Sequence, residues 1–458
     1  MPHHPEISRV AIIGGGCAGL AAAATLAERG ISVTVFEAAK HLGGRARSLE
    51  WSGTYLDNGQ HILIGAYRET LRLMRLAGVD EANALLRLPL QLIQHDQFCL
   101  QASRCLPAPL HVLHGLLRAR GLSRGERFAA LRFMLKLRLS RFHLSHDLPL
   151  ADLLARHQQP QRVIRCLWEP LCLAALNTPL DRASAQVFLN VLRDSFARGK
   201  HDSDLLLPRI GLSELFAEPL ANYVIAKGGA VQRGTTISAI TRHDDDYALV
   251  AGDATHHFTH VILAVPPFRL AKLVADLAPL AEIARMCDSY DYQPIATVYL
   301  QYPPQIRLPH PMLGLAGGLS QWVLDRGQLN GQAGLLAVVI SAEGAHMHMS
   351  QEELADTVAN EIARAFPDFP PTLGRKVIIE KRATFACVPN MPRPPQQTPC
   401  PGFYLAGDYT VGDYPATIEG AVRSGIICAE KILDSDTINP HPHPCPASGR
   451  GNNTRDPC

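Results

Sequence analysis

The chain has 458 residues, 44 Lys and Arg against 42 Asp and Glu, a net charge of +2 and 47% hydrophobic residues. At roughly 150 residues per domain this length suits two or three domains, and the near-neutral balance excludes a nucleic-acid protein held by global basicity. Gly and Pro are spread along the chain rather than clustered, which excludes a collagen-like or low-complexity fold; the 11 Cys include no Cys-x-x-Cys pair, which excludes zinc-ribbon and thioredoxin motifs and fits a reducing, cytoplasmic compartment.

Ile7 to Ile13 is short, branched and apolar and reads as a buried parallel strand. Leu20 to Arg29 reads as a helix stopped by Gly30, and Ile31 to Phe36 as a second strand. Val10 to Ala27 is uncharged and imitates a signal peptide or a short membrane span. Gly14, Gly15, Gly16 and Gly19 cluster inside it, however, between a β-rich and an Ala-rich run, which is the pattern of a nucleotide-binding turn. No other segment reaches a spanning length. Tyr67 to Arg141 is expected to be mostly helical, broken by Pro89, Pro107 and Pro109, and a second helical stretch covers Leu148 to Phe196. Pro208 to Gly211 reads as a turn. Gly228-Gly229 is followed by two strands, and His260 to Val265 is another buried strand closed by Pro266-Pro267. Ile295 to Leu300, Leu335 to Ser341 and Val377 to Arg382 alternate as antiparallel strands do. Phe403 to Ala406 is a short strand, Thr417 to Leu433 a helix, and the remainder a disordered tail.

Three motifs carry chemistry. In Gly14-x-Gly16-x-x-Gly19, with Cys17 and Ala18 inside it, the first glycine permits the turn. The second admits a pyrophosphate to the backbone, and the third lets helix and strand pack closely. Glu37 ends the second strand, where its carboxylate can accept from ribose hydroxyls and disfavours a 2′-phosphate. Gly43-Gly44-Arg45 suits a longer dinucleotide, with Arg45 near phosphate or flavin. Near the C-terminus a strand ends in Gly407-Asp408, where the carboxylate can hold a ribityl hydroxyl. Pro415-Ala416-Thr417-Ile418 then opens a helix whose positive end can stabilise a reduced flavin. These motifs, in this order, predict FAD.

The same motifs resemble the flavin amine oxidase and phytoene desaturase superfamily, as does Val261 to Pro267. Asp57-Asn58-Gly59-Gln60-His61-Ile62-Leu63-Ile64-Gly65 is similar to the hydroxysqualene dehydroxylases, the squalene-associated FAD-dependent desaturases. So are Trp168 to Leu171, Ala175 to Pro179 and Tyr414 to Ala421. The resemblance covers most of residues 8 to 433. It implies an α/β fold, with a Rossmann-like FAD-binding domain of the two-dinucleotide-binding-domain flavoprotein type and an inserted α+β substrate domain. The expected cofactor domain is discontinuous, 7–75, 205–270 and 395–434. The substrate domain takes 76–204 and 271–394, and the tail 435–458.

The resemblance further implies reductive removal of the hydroxyl of hydroxysqualene to give squalene. An allylic hydroxyl that leaves as water gives a delocalised cation that flavin hydride can quench, in a dry channel with one acid. Leucines in the inserted helical region suit such a channel, and equally an ordinary core. Spacing does not identify the acid. Asp57 and His61 come first as candidates, although a loop carboxylate capping a helix explains Asp57 as well. Glu169 comes second; Arg382, Asp202 and Asp204 are weaker. Two further readings stay open, a desaturase or oxidase of a polyene or an amine, and a non-catalytic isoprenoid-binding flavoprotein. Only one dinucleotide fingerprint occurs, so electrons come from a separate reductase or free NAD(P)H.

A metal is not expected: His346-x-His348 lacks a third ligand, and His441-x-His443-x-Cys445 stands in the tail. Residues 111–146 carry eight Lys or Arg and one Glu. Phe128, Leu131, Leu135, Leu139 and Phe142 there share one helical stripe, with Arg132, Lys136 and Arg141 off it. Two readings compete: a solvated basic face over a core stripe, or an amphipathic helix on an anionic membrane, which would place the protein peripherally on the inner face.

Overall fold

The computed structural model describes residues 9–196 and 198–438. Its first layer is a parallel sheet of five strands: β1 (Arg9–Ile13), β2 (Ser32–Glu37), β3 (Ala230–Arg233), β4 (His260–Leu263) and β5 (Phe403–Leu405), in the order β3-β2-β1-β4-β5. Val10 lies beside Val33 on one side and His260 on the other, so β1 is central and wholly paired. Parallel strands covered on both faces must be apolar throughout, and Val10, Ala11 and Ile12 are completely buried.

Helix α1 (Cys17–Glu28) explains the misleading segment. Ala18 to Ala27 are all buried, because the helix is enclosed by the sheet, by Glu218–Ala226 and by the C-terminal helix Ile418–Ile438. A helix that is apolar all round is a core helix when protein surrounds it. The alanines permit close approach: a Cβ on Gly425 of the C-terminal helix would stand 2.1 Å from the Ala18 carbonyl oxygen. Among the described residues no helix is long and apolar enough to cross a membrane. The C-terminal helix continues past the expected end at Leu433, and the expected tail from residue 439 onward, with its His441 and Cys445, lies outside the described residues.

The second layer is a seven-stranded sheet. Its order is Gly374–Phe385, Tyr292–Gln301, Leu335–Ser341, Trp322–Asp325, Met312–Gly314, Gln91–Gln94 and Phe98–Gln101. The three segments expected to alternate pair antiparallel at one end of this sheet, Thr297 opposite both Val339 and Ile378. The last two strands correct the expectation of a helical stretch from Tyr67 to Arg141. So does Leu85–Leu88, which joins a small sheet with Leu205–Pro208. The signal was the alternation Leu88-x-Leu90-x-Leu92, a period of two. A turn at Asp96, with φ of 54°, closes the hairpin.

Helices α2 (Leu110–Leu117) and α3 (Arg124–Leu139) follow the hairpin, and Leu150–Arg156, Gln161–Leu176 and Ala185–Phe196 complete a helical layer. Gln161–Leu176 is one run that widens into a π turn at Ile164–Trp168. Trp168 is buried there, its indole N–H donating to Gln159 Oε1 at 2.9 Å and its ring edge-on to Phe133.

Candidate active site

The turn between β1 and α1 opens onto a cavity of about 1260 Å³ that runs between the two sheets. The three fingerprint glycines play different parts. A Cβ on Gly14, whose φ is +113°, would stand 2.4 Å from the Ala264 carbonyl oxygen, and one on Gly19 would stand 2.0 Å from that of Gly14. Both are required by the packing of the turn itself. A Cβ on Gly16 would meet no atom within 4 Å, so this glycine keeps open the space in front of the helix N-terminus, where a pyrophosphate is favoured.

The second motif is tied to the first: Gly43 N–H donates to the Gly15 carbonyl at 2.9 Å, and Gly16 and Gly43 form a parallel bridge. Glu37 closes the same corner. Its Oε2 accepts from Gly15 N–H at 2.7 Å and its Oε1 from Ala39 N–H at 2.8 Å, which fixes the carboxylate at the cavity wall with a lone pair remaining on each oxygen. Arg45 crosses the cavity to Asp408 Oδ2 at 2.6 Å and to the Ala383 carbonyl at 2.7 Å, bringing together motifs more than 360 residues apart. Cys17 lies between these charges, yet burial pushes its thiol up to about 12, so it packs rather than reacts. Gly407, Asp408, Pro415, Ala416, Thr417 and Ile418 line the cavity with Gly14, Gly16, Cys17, Ala18, Glu37, Gly43, Gly44 and Arg45; Gly15 and Gly19 stand behind the wall. The helix begins at Ile418 rather than at Pro415. Thr417 caps it, its Oγ accepting from Gly420 N–H at 3.1 Å. The residues present fit a dinucleotide flavin: an open glycine at a helix N-terminus, a carboxylate at the end of β2, and a second helix N-terminus on the same cavity.

The far half of the cavity is apolar, walled by Leu92, Leu171, Phe188, Leu192, Met312 and Leu324 among others. Among the three acid candidates only His61 lines it. Asp57 is corrected: it lies outside the cavity, with both carboxylate oxygens hydrogen-bonded elsewhere. Its Oδ1 accepts from Ser48 Oγ and Leu212 N–H, and its Oδ2 from Arg326 at 2.7 Å, both partners of the ion pair being buried. Gln60, which accepts from the same guanidinium and donates to Tyr299, locks this knot to the seven-stranded sheet. Glu169 is also corrected. It is half-buried outside the cavity, immediately before Pro170 within the helical run, and burial raises its pKa. Asp202 and Asp204 are buried outside the cavity lining, where they accept from Arg68 and Arg87.

His61 is held neutral, its pKa lowered by burial. Its Nδ1 donates to the Gly59 carbonyl at 3.1 Å, which leaves Nε2 as an acceptor. Arg382 lines the cavity with its guanidinium 4.3 Å from the Phe268 ring centre and 5.6 Å from that of Tyr292. Tyr292 was not singled out from the sequence. Its buried hydroxyl has no hydrogen-bond partner among the described residues, and burial pushes its pKa up to about 12, so it carries its proton at the cavity wall. No sequence signal marked it, since tyrosine in an alternating strand is unremarked. Tyr414, donating to Asp194 Oδ2 at 3.0 Å, is a second polar group there, with Asp194 held low by Arg193 despite its burial. Among the described residues no three His, Cys, Asp or Glu side chains gather as a metal site.

The family model of flavin containing amine oxidoreductases matches residues 17–433. The hydroxysqualene dehydroxylase of Sinorhizobium fredii is 29% identical over 449 residues, 93% of this chain and 98% of that protein. A 15-cis-phytoene desaturase of Glycine max is 25% identical over 94% of this chain and 80% of its own length. The crystal structure of an oxidoreductase from Methanosarcina mazei superposes with a TM-score of 0.71 at 17% identity, over 92% of this chain and all of that one, a likeness of fold. The glycine turns and carboxylates thus sit inside a match that spans nearly the whole chain: it belongs to the flavin containing amine oxidoreductase family, and it is an FAD-dependent oxidoreductase.

Proposed function

We propose that the chain removes the allylic hydroxyl of hydroxysqualene reductively, giving squalene. The observation that carries this is the continuity of one cavity, polar where a dinucleotide fits and apolar beyond it. Such a shape suits a long hydrocarbon presenting a single polar group to the cofactor. The similarity to hydroxysqualene dehydroxylases along 93% of the chain supports the same substrate. Bound in its reduced form, FAD supplies two electrons and a hydrogen as hydride. The chain's residues do the rest. The apolar wall excludes water from the cationic carbon. The Tyr292 hydroxyl gives its proton to the departing substrate oxygen, which leaves as water, and solvent returns a proton to the phenolate after turnover. The C–O bond breaks and a C–H bond replaces it, the two electrons being those that reduced FAD would supply. Reducing equivalents come from outside, from a separate reductase or free NAD(P)H.

Anaerobic mixing of photoreduced protein with hydroxysqualene tests this. Flavin should reoxidise as squalene forms. Tyr292→Phe should slow that single turnover by about 10²-fold, the lower end of general-acid effects, with FAD still bound. The similarity to phytoene desaturase supports a second reading, oxidation of a polyene. Oxidised protein would then be reduced by substrate, and reduced protein would ignore hydroxysqualene.

A further inference from the structure

Helix α3 turns the wrong face to water. Its core contacts are made by Ala130, Phe133, Met134 and Leu137. Of the stripe that looked like a core face in sequence, Phe142 is buried and Leu131 packs partly against the core, but the other three point outward: Phe128 is 68% exposed, Leu135 57% and Leu139 76%. At 100° per residue these three fall within a 40° arc. Arg132 and Lys136 flank it on one side, Arg124 and Arg138 on the other, and all four are exposed. Leu117 at the end of α2, 55% exposed, continues the ridge, because Arg127 of α3 donates to its carbonyl at 3.2 Å. The helix needs no partner to form. Ser123 and Glu126 make a reciprocal cap, Ser123 N–H donating to Glu126 at 2.7 Å, which also occupies the only acid in the segment.

We propose that α2 and α3 form a docking surface for an anionic lipid bilayer, with Phe128, Leu135 and Leu139 entering the acyl boundary and the flanking cations on the headgroups. An apolar ridge edged on both sides by cations is complementary to such a surface; a protein partner or a core would need no such edging. The surface also backs onto the cavity. His111 at the start of α2 is hydrogen-bonded to Ser203, a cavity residue, at 3.0 Å. This surface stands on its own observations, so the failure of the proposed reaction would leave it intact.

FAD-loaded full-length protein, sedimented with vesicles of phosphatidylglycerol and phosphatidylcholine, tests it. Binding should weaken with salt and vanish on phosphatidylcholine alone. Arg132→Glu, Lys136→Glu and Arg138→Glu together should weaken it at least about tenfold. Leu135→Asn with Leu139→Asn should do the same at unchanged net charge, with flavin absorbance showing that both variants remain folded. Equal binding to neutral and anionic vesicles overturns the proposal, as does unaltered binding of both variants. A concentration-dependent dimer broken by Leu139→Asp, without vesicle binding, also overturns it and assigns the ridge to a second copy of the chain.

Discussion

The two halves of the cavity are built by opposite means. The nucleotide half uses backbone: glycines at fixed places, amide groups at helix starts, and a carboxylate pinned by two N–H groups. The apolar half uses side chains from two sheets and a helical layer, none of which is special alone. Backbone recognition demands particular residues at particular steps, whereas hydrocarbon recognition demands only volume and dryness. A substitution should therefore act all-or-none in the first half and gradually in the second.

The largest effect expected within the nucleotide half separates its glycines. Gly19→Ala places a methyl against the Gly14 carbonyl and should cost more than about 4 kcal/mol, read as loss of the folded protein in denaturant melts. Gly16→Ala should leave the protein folded and weaken FAD binding alone, measured by flavin titration. If both behave alike, the division of labour among the glycines is wrong. Next comes the knot beneath the border of the two halves. Arg326→Met leaves a buried carboxylate and should cost about 3–5 kcal/mol of stability, while folded enzyme turns over at the normal rate. A lowered rate at full stability would return Asp57 to the chemistry. Glu37→Ala removes a charged acceptor and should weaken FAD by about 1.5–3 kcal/mol.

The smallest effect is a pH slope. His61, His111 and His346 are all lowered by burial from 6.5. The unfolded chain then binds more protons as pH falls below 6.5, so stability is full above that value and declines beneath it. Each contributes at most about 1.4 kcal/mol per pH unit. His61→Phe should remove its share. A slope that persists unchanged in that variant would mean His61 is not held neutral in the cavity wall.

How much the sequence disclosed follows the same division. The fingerprint, Gly43-Gly44-Arg45 and Gly407-Asp408 were legible because positive φ (Gly14, Gly43, Gly44), an open Cα (Gly16) or close packing against a neighbour (Gly19, Gly407) needs glycine. The order of these motifs sufficed to identify a flavin site. Asp57 misled because nearness in sequence to a motif says nothing of which side of a strand a carboxylate leaves; here it leaves toward Arg326, 269 residues on. Tyr292 and Phe268 were invisible because their meeting with Arg382 is purely tertiary. The α3 stripe was legible as a period but not as a direction, since both of its faces carry large apolar residues.

The parallel sheet has one more consequence, for the order of events during synthesis. Its strands come from residues 9–37, 230–263 and 403–405, and the helix that covers α1 follows the last of them. On a ribosome β1 and β2 therefore wait for β3 and β4, β4 waits for β5, and the alanine face of α1 stays uncovered until almost the entire chain has emerged. Pairings of such sequence separation close slowly and leave exposed edges meanwhile. The cofactor pocket can be completed only as the last act of folding, so flavin capture reports arrival of the C-terminal helix. A chain truncated before residue 403 should be a poorly folding, colourless protein however intact its fingerprint.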